Sequence, residues 1–158
     1  MKTLLIVQAG HAGGRVAQLV TAALEGVAQV RAELGEDSVA VRCVPALQAT
    51  AADVRAAHGV LLATPEHFAY MSGALKDFFD RTFYAVESHT VGRPYGLVVS
   101  AGNDGQGTIA AVRRIVTGYR WREIAEPVLV LSDPKPTDIA RCRELGATLA
   151  AGLAAGIF

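Results

Sequence analysis

The chain has 158 residues, of which 51% are hydrophobic, enough apolar side chain to bury one core and form one domain over residues 1–158. Lysine plus arginine and aspartate plus glutamate stand at 15 each, so no bulk positive field invites a nucleic acid. The longest apolar run is strand-sized, too short to span a membrane, and Met1–Val7 lacks the basic region and cleavage site of a secretory leader. Cys43 and Cys142 lie far apart without Cys-x-x-Cys spacing. They read as buried free thiols in a reducing compartment, and a cytoplasmic protein is expected. No His/Cys/carboxylate group has metal-ligand spacing.

Strands and helices alternate. Residues 3–8 form an apolar first strand, and a helix from about Gly13 to Leu34 aligns Val16, Leu19, Val20, Ala23, Val27, Val30 and Leu34 on one face. Val39–Val44 reads as a second strand ended by Pro45, followed by a weakly patterned helix near 51–57. Gly59–Ala63 is wholly apolar, which suits a strand covered on both faces, and Thr64-Pro65 is expected to stop it. Ser72 can cap a third helix carrying Leu75, Phe78, Phe79 and Phe83. Residues 95–100 and 127–131 supply the last strands. The helix between them aligns Ile109, Val112, Ile115, Val116 and Tyr119; the final helix, from about Thr137, aligns Ile139, Cys142, Leu145, Leu149 and Leu153. This alternation implies an α/β fold with a parallel sheet, helices on both faces and right-handed crossovers. Five strands at this length fit the order 2-1-3-4-5, whose switch point lies between the first and third strands.

The stretch that leaves the third strand carries the most specific text. Thr64-Pro65-Glu66-His67, then Ser72-Gly73 and Leu75-Lys76, then Phe78 and Asp80-Arg81 fall within about 20 residues. This pattern resembles the flavin loop of NAD(P)H-dependent FMN reductases and related quinone reductases of the flavodoxin superfamily. The resemblance implies a flavodoxin-like three-layer sandwich. It also implies that Thr64, Pro65, Glu66, His67, Phe68 and Ala69 lie against an isoalloxazine ring. His67 and Phe68 would flank the ring, with His67 the candidate catalytic proton donor. The pairs Lys76/Asp80 and Asp77/Arg81, at i,i+4, read as helix support alone.

After the first strand, Gly10-His11-Ala12-Gly13-Gly14-Arg15 opens the first helix. Glycines let main-chain N–H groups approach an anion at a helix N-terminus, and Arg15 and His11 can reach a phosphate. The resembling family has serine and threonine here, whereas residues 8–15 contain neither. Each lost hydrogen bond to a charged phosphate costs about 1.5–3 kcal/mol, so FMN is expected to bind through main-chain amides, and loosely. The alternative is a glycine-rich helix entry that binds nothing. A dinucleotide fingerprint, a Gly-Lys-Ser/Thr loop and a receiver-type acidic site are each absent. After the fourth strand, Gly102, Asn103, Asp104, Gly105 and Gln106 are expected to hydrogen-bond the ring's pyrimidine edge, although the same residues would also make a plain turn.

The resemblance therefore implies an FMN-dependent oxidoreductase taking electrons from NADH or NADPH. It would reduce a small-molecule acceptor such as a quinone or flavin, as a homodimer or homotetramer. Free electron carriers of the superfamily are strongly acidic, and this neutral chain resembles the reductase branch instead. A flavodoxin-type carrier and a flavin-free binding module remain the competing readings.

Overall fold

The computed structural model describes residues 1–158. In chain order the elements are β1 (Lys2–Gln8), α1 (Arg15–Leu34), β2 (Val39–Pro45), α2 (Ala51–Ala56), β3 (Gly59–His67) and β4 (Tyr70–Met71), followed by α3 (Gly73–Val86), β5 (Pro94–Ala101), α4 (Gln106–Tyr119), β6 (Arg122–Glu123), β7 (Val128–Leu131) and α5 (Pro136–Ala154). The principal strands pair in parallel in the order β2-β1-β3-β5-β7, which is the flavodoxin-like arrangement expected. The fifth strand comes in two pieces. Pro94 and Tyr95 of β5 pair with β6, and Val98–Ala101 pair with β7.

Alternation along each strand sends side chains to two separate cores. Leu5, Val7, Val60, Leu62, Leu97 and Val99 pack with the buried faces of α3 and α4. Leu4, Ile6, Leu61, Ala63, Val98 and Val130 pack with those of α1 and α5. Ser72 caps α3 as its position suggests, accepting from the Ala74 N–H at 3.3 Å. Thr50 and Asp53 form a capping box that fixes the short α2 despite its weak apolar pattern. Arg81 goes further than helix support. Besides Asp77, it donates to the Ala46 and Ala49 carbonyls at 2.9 Å each, tying α3 to the β2–α2 connection. Trp121 packs against Tyr119 at 4.8 Å and donates its indole N–H to Thr90. No helix is long and apolar enough to cross a membrane.

Two expectations need correction. Thr64-Pro65 does not end the third strand, because β3 continues to His67. Ala63 O accepts from Ala9 N–H on the β1 side, so alternation turns Pro65 to that same side, just beyond the last β1 pairing at Gln8. Its missing N–H therefore costs no ladder bond. Cys142 is buried, but Cys43 is exposed. β2 is an edge strand whose α1-facing residues pass from buried Val39 through half-buried Val41 to open Cys43.

Helices α1 and α5 cross unusually closely. A Cβ at Gly146 would stand 2.0 Å from the Ala23 carbonyl oxygen, and one at Gly26 would stand 1.9 Å from that of Arg143. Both obstacles are backbone, so no rotamer change relieves them. Gly146→Ala should therefore lower the unfolding free energy by about 1–3 kcal/mol in urea titration. An unchanged midpoint would show that the crossing tolerates a methyl.

Candidate functional site

At the carboxyl edge of the sheet, the loops leaving β1, β3 and β5 surround a cavity of about 500 Å³. Small-molecule sites usually occupy about 300–1,000 Å³. It lies at the switch point, where the chain leaving β1 and the chain leaving β3 turn to opposite faces.

Gly10, His11, Gly13, Gly14 and Arg15 form one wall, with Val16 and Gln18 of α1 behind them. Gly10 and Gly13 have φ of +100° and +73°, where a side chain would be strained. Gly14 precedes α1 and provides no side-chain cap. Its N–H donates to His11 O at 3.2 Å, while the main-chain N–H groups of Gly10, His11, Ala12, Gly13 and Arg15 have no protein acceptor. These donors stand at the positive end of α1, an arrangement that suits an anion. The His11 ring lies against Gly14, where a Cβ would be 3.0 Å from Nε2. Ala12 is exposed and does not line the cavity.

The second wall is Pro65, Glu66 and His67. The stretch expected to be an open loop is instead a β-hairpin, with Glu66 opposite Met71 and His67 opposite Tyr70. Its two-residue turn, Phe68-Ala69, has φ of +54° and +58°. Tight hairpin turns whose twist matches the strands need positive φ, and glycine or asparagine usually supplies it. Here two ordinary L-residues do, at about 1–2 kcal/mol each. Several contacts hold the hairpin in that state. Ser72 N–H donates to Thr64 Oγ1 at 3.0 Å, and the Thr64 hydroxyl donates to Pro65 O at 2.9 Å. The Thr108 hydroxyl donates to Glu66 Oε2 at 3.2 Å. Gly107 abuts the turn so closely that a Cβ there would be 2.4 Å from Ala69 O. Thr64 is fully buried with its hydroxyl committed inside the hairpin, so it shapes the wall from beneath instead of facing the cavity. Phe68, at the tip, is fully exposed and does not line the cavity, nor does Ala69.

The third wall differs from the one expected. Ser100, Ala101 and Gly102 line the cavity, whereas Asn103, Asp104, Gly105 and Gln106 do not. Gly105 is buried, and a Cβ on it would lie 2.3 Å from Leu129 Cδ1, so it faces the protein interior. Gln106 already begins α4, which carries it away from the rim. Ser100 was legible in principle, because it ends the expected strand over 95–100, one residue before β5 ends at the ligand edge.

Sequence reasoning also missed Asp133. Arg15 lines the cavity, but its Nε and Nη2 lie 3.0 and 2.9 Å from Asp133 Oδ1, in the loop between β7 and α5. The cation expected to meet a phosphate is thus already paired with a carboxylate.

Residues 1–133 match the family described as NADPH-dependent FMN reductase. The chain belongs to that family. No curated protein matches it in sequence. Among solved structures it is similar to a flavodoxin from the domain Archaea, at a TM-score of 0.79 and 17% identity, covering 95% of this chain and 98% of that one. A WrbA-like flavodoxin from Agrobacterium tumefaciens gives 0.74 and 14% over 99% of both chains. An oxidoreductase from Corynebacterium diphtheriae gives 0.74 and 20%, over 98% of this chain and 96% of that one. Identities this low speak for the fold, which these proteins share with this member of the FMN reductase family. Membership and fold together make the chain a flavin-dependent oxidoreductase or flavodoxin-like protein.

The residues present fit FMN in part. Acceptor-free amides and a glycine cradle suit its phosphate, and the cavity has room for a drug-sized ring system. Side-chain hydroxyls in the first loop are missing, and Arg15 is engaged elsewhere. The strained hairpin offers a separate check. Ala69→Gly should raise unfolding free energy by about 0.5–1 kcal/mol, since glycine removes the positive-φ penalty at the cost of a more flexible unfolded chain. A loss of stability on chemical denaturation would mean that the turn stores no such strain.

Proposed function

We propose that this protein is an FMN-dependent NAD(P)H oxidoreductase that reduces a small acceptor such as a quinone or a free flavin. One observation carries the reading. Acceptor-free main-chain N–H groups at the start of α1 and the braced Pro65–His67 wall meet at a single cavity. FMN, when bound, would supply the hydride chemistry.

The chain's own residues would bind, orient and shield. The amides of Gly10, His11, Gly13 and Arg15 would hold the phosphate, and Pro65 and Glu66 would wall the ring on one side. Ser100 and Gly102 would offer hydrogen bonds along the opposite rim. His67, exposed beside the cavity, can exchange a proton with water and deliver it to a reduced acceptor. Equal numbers of acidic and basic residues give no net field to steer the chain onto a charged protein partner, which favours a small acceptor. A homodimer or homotetramer belongs to the same proposal, and a second subunit would cover the fully exposed Phe68.

The purified protein, mixed with FMN, should show a shifted visible flavin band and then oxidise NADH or NADPH with a quinone present. His67→Ala should bind FMN normally and lose about tenfold in kcat, less than the 10²–10⁴ of a buried general acid because water reaches the same place. Electron transfer only to a protein partner would favour a carrier. A colourless protein that FMN does not alter would favour a flavin-free module.

A further inference from the structure

The first loop of the cavity has one permanently charged side chain, Arg15, and the structure shows where that charge goes. Its guanidinium holds Asp133 Oδ1 with two nitrogens, at 3.0 Å from Nε and 2.9 Å from Nη2. Asp133 has no other hydrogen-bond partner, and it does not cap the helix that follows it. That task belongs to Asp138, which accepts from Lys135 N–H at 3.0 Å. The loop carrying Asp133 is also held at its other end. Ser132 N–H donates to Ala101 O at 2.9 Å, and the Ser132 hydroxyl donates to Gly102 O at 3.2 Å, both on the third wall of the cavity. Ser132 has φ of +61°, a strained value for a residue with a side chain. Strained non-glycine residues therefore flank the cavity on two sides, at Phe68-Ala69 and at Ser132. The second of these fixes the residue next to Asp133.

We propose that Asp133 is a specificity-determining residue of the flavin site. By pairing with Arg15 it withholds the loop's cation from the ligand's phosphate, so the preference for phosphorylated over unphosphorylated flavin is up to about fivefold smaller than it would be with Arg15 free. This rests on the flavin reading above and adds to it how the ligand is told apart: a flavin whose phosphate is held by main-chain amides, without the side-chain cation. The carboxylate is 90% exposed and the guanidinium 46% exposed. Exposed pairs of this kind are worth at most about 1 kcal/mol, which converts to about fivefold in affinity.

The test measures Kd for FMN and for riboflavin at one fixed ionic strength, on the full chain. Asp133→Asn should tighten FMN by about two- to fivefold and leave riboflavin unchanged. Arg15→Gln should leave riboflavin unchanged and abolish the gain from Asp133→Asn in the double variant, because the effect runs through Arg15. An Asp133→Asn protein whose FMN affinity stays the same, or whose affinities for both flavins move together, overturns the proposal. So does a gain that persists without Arg15, which would mean direct repulsion of the phosphate. If the unaltered chain binds neither flavin, the reading of the whole cavity fails with it. If it binds both and the ratio ignores Asp133, only the role of Asp133 fails.

Discussion

Main-chain amides at the start of α1 that no protein atom accepts are the constraint on which the account turns. A helix leaves its first N–H groups without intrahelical partners, and most chains cap them with a side-chain oxygen. This chain places Gly14 at that point and glycines at the positive-φ positions before it. The donors of Gly10, His11, Gly13 and Arg15 are left without protein acceptors on residues that line a cavity of about 500 Å³. An anion at that position completes them and meets the favourable end of the helix dipole.

The opposite wall is built by different means. The hairpin from β3 to β4 turns on two non-glycine residues in the left-handed region, and it is the helix α4 that makes this tenable. Thr108 anchors Glu66, and Gly107 leaves room for the Ala69 carbonyl. Strain of this kind persists where surrounding contacts over-determine it. Here the contacts join the hairpin to the start of α4 at the ligand edge. Buried Tyr119, whose hydroxyl donates to Phe79 O at 2.7 Å, binds the far end of α4 to α3. Burial pushes its phenol up to about 12, so this link stays neutral and intact across ordinary pH.

Much of the fold was legible because periodicity and capping are local. The Ser72 cap and the apolar faces of α3 and α4 follow from residues within a few positions of each other, and the strand order follows from the alternation of the elements they build. The first-loop and Pro65–His67 walls were legible for the same reason. What was not legible depends on partners distant in sequence. Pro65 stays in β3 only because β1 has already ended beside it. Cys43 is open because an edge strand runs out from under α1. Asn103 and Gln106 leave the cavity because α4 starts at Gln106 and Gly105 packs on Leu129. The pairing of Arg15 with Asp133 spans 118 positions, and no local pattern announces it.

The most direct measurement is an amide-resolved NMR titration of the protein with FMN. The account predicts that the N–H resonances of Gly10, His11, Gly13 and Arg15 shift together, with Ser100 and Gly102 following, while the groove of about 540 Å³ between α3 and α4 is unaffected. Shifts confined to that groove, or an unchanged spectrum with FMN in excess, would contradict it.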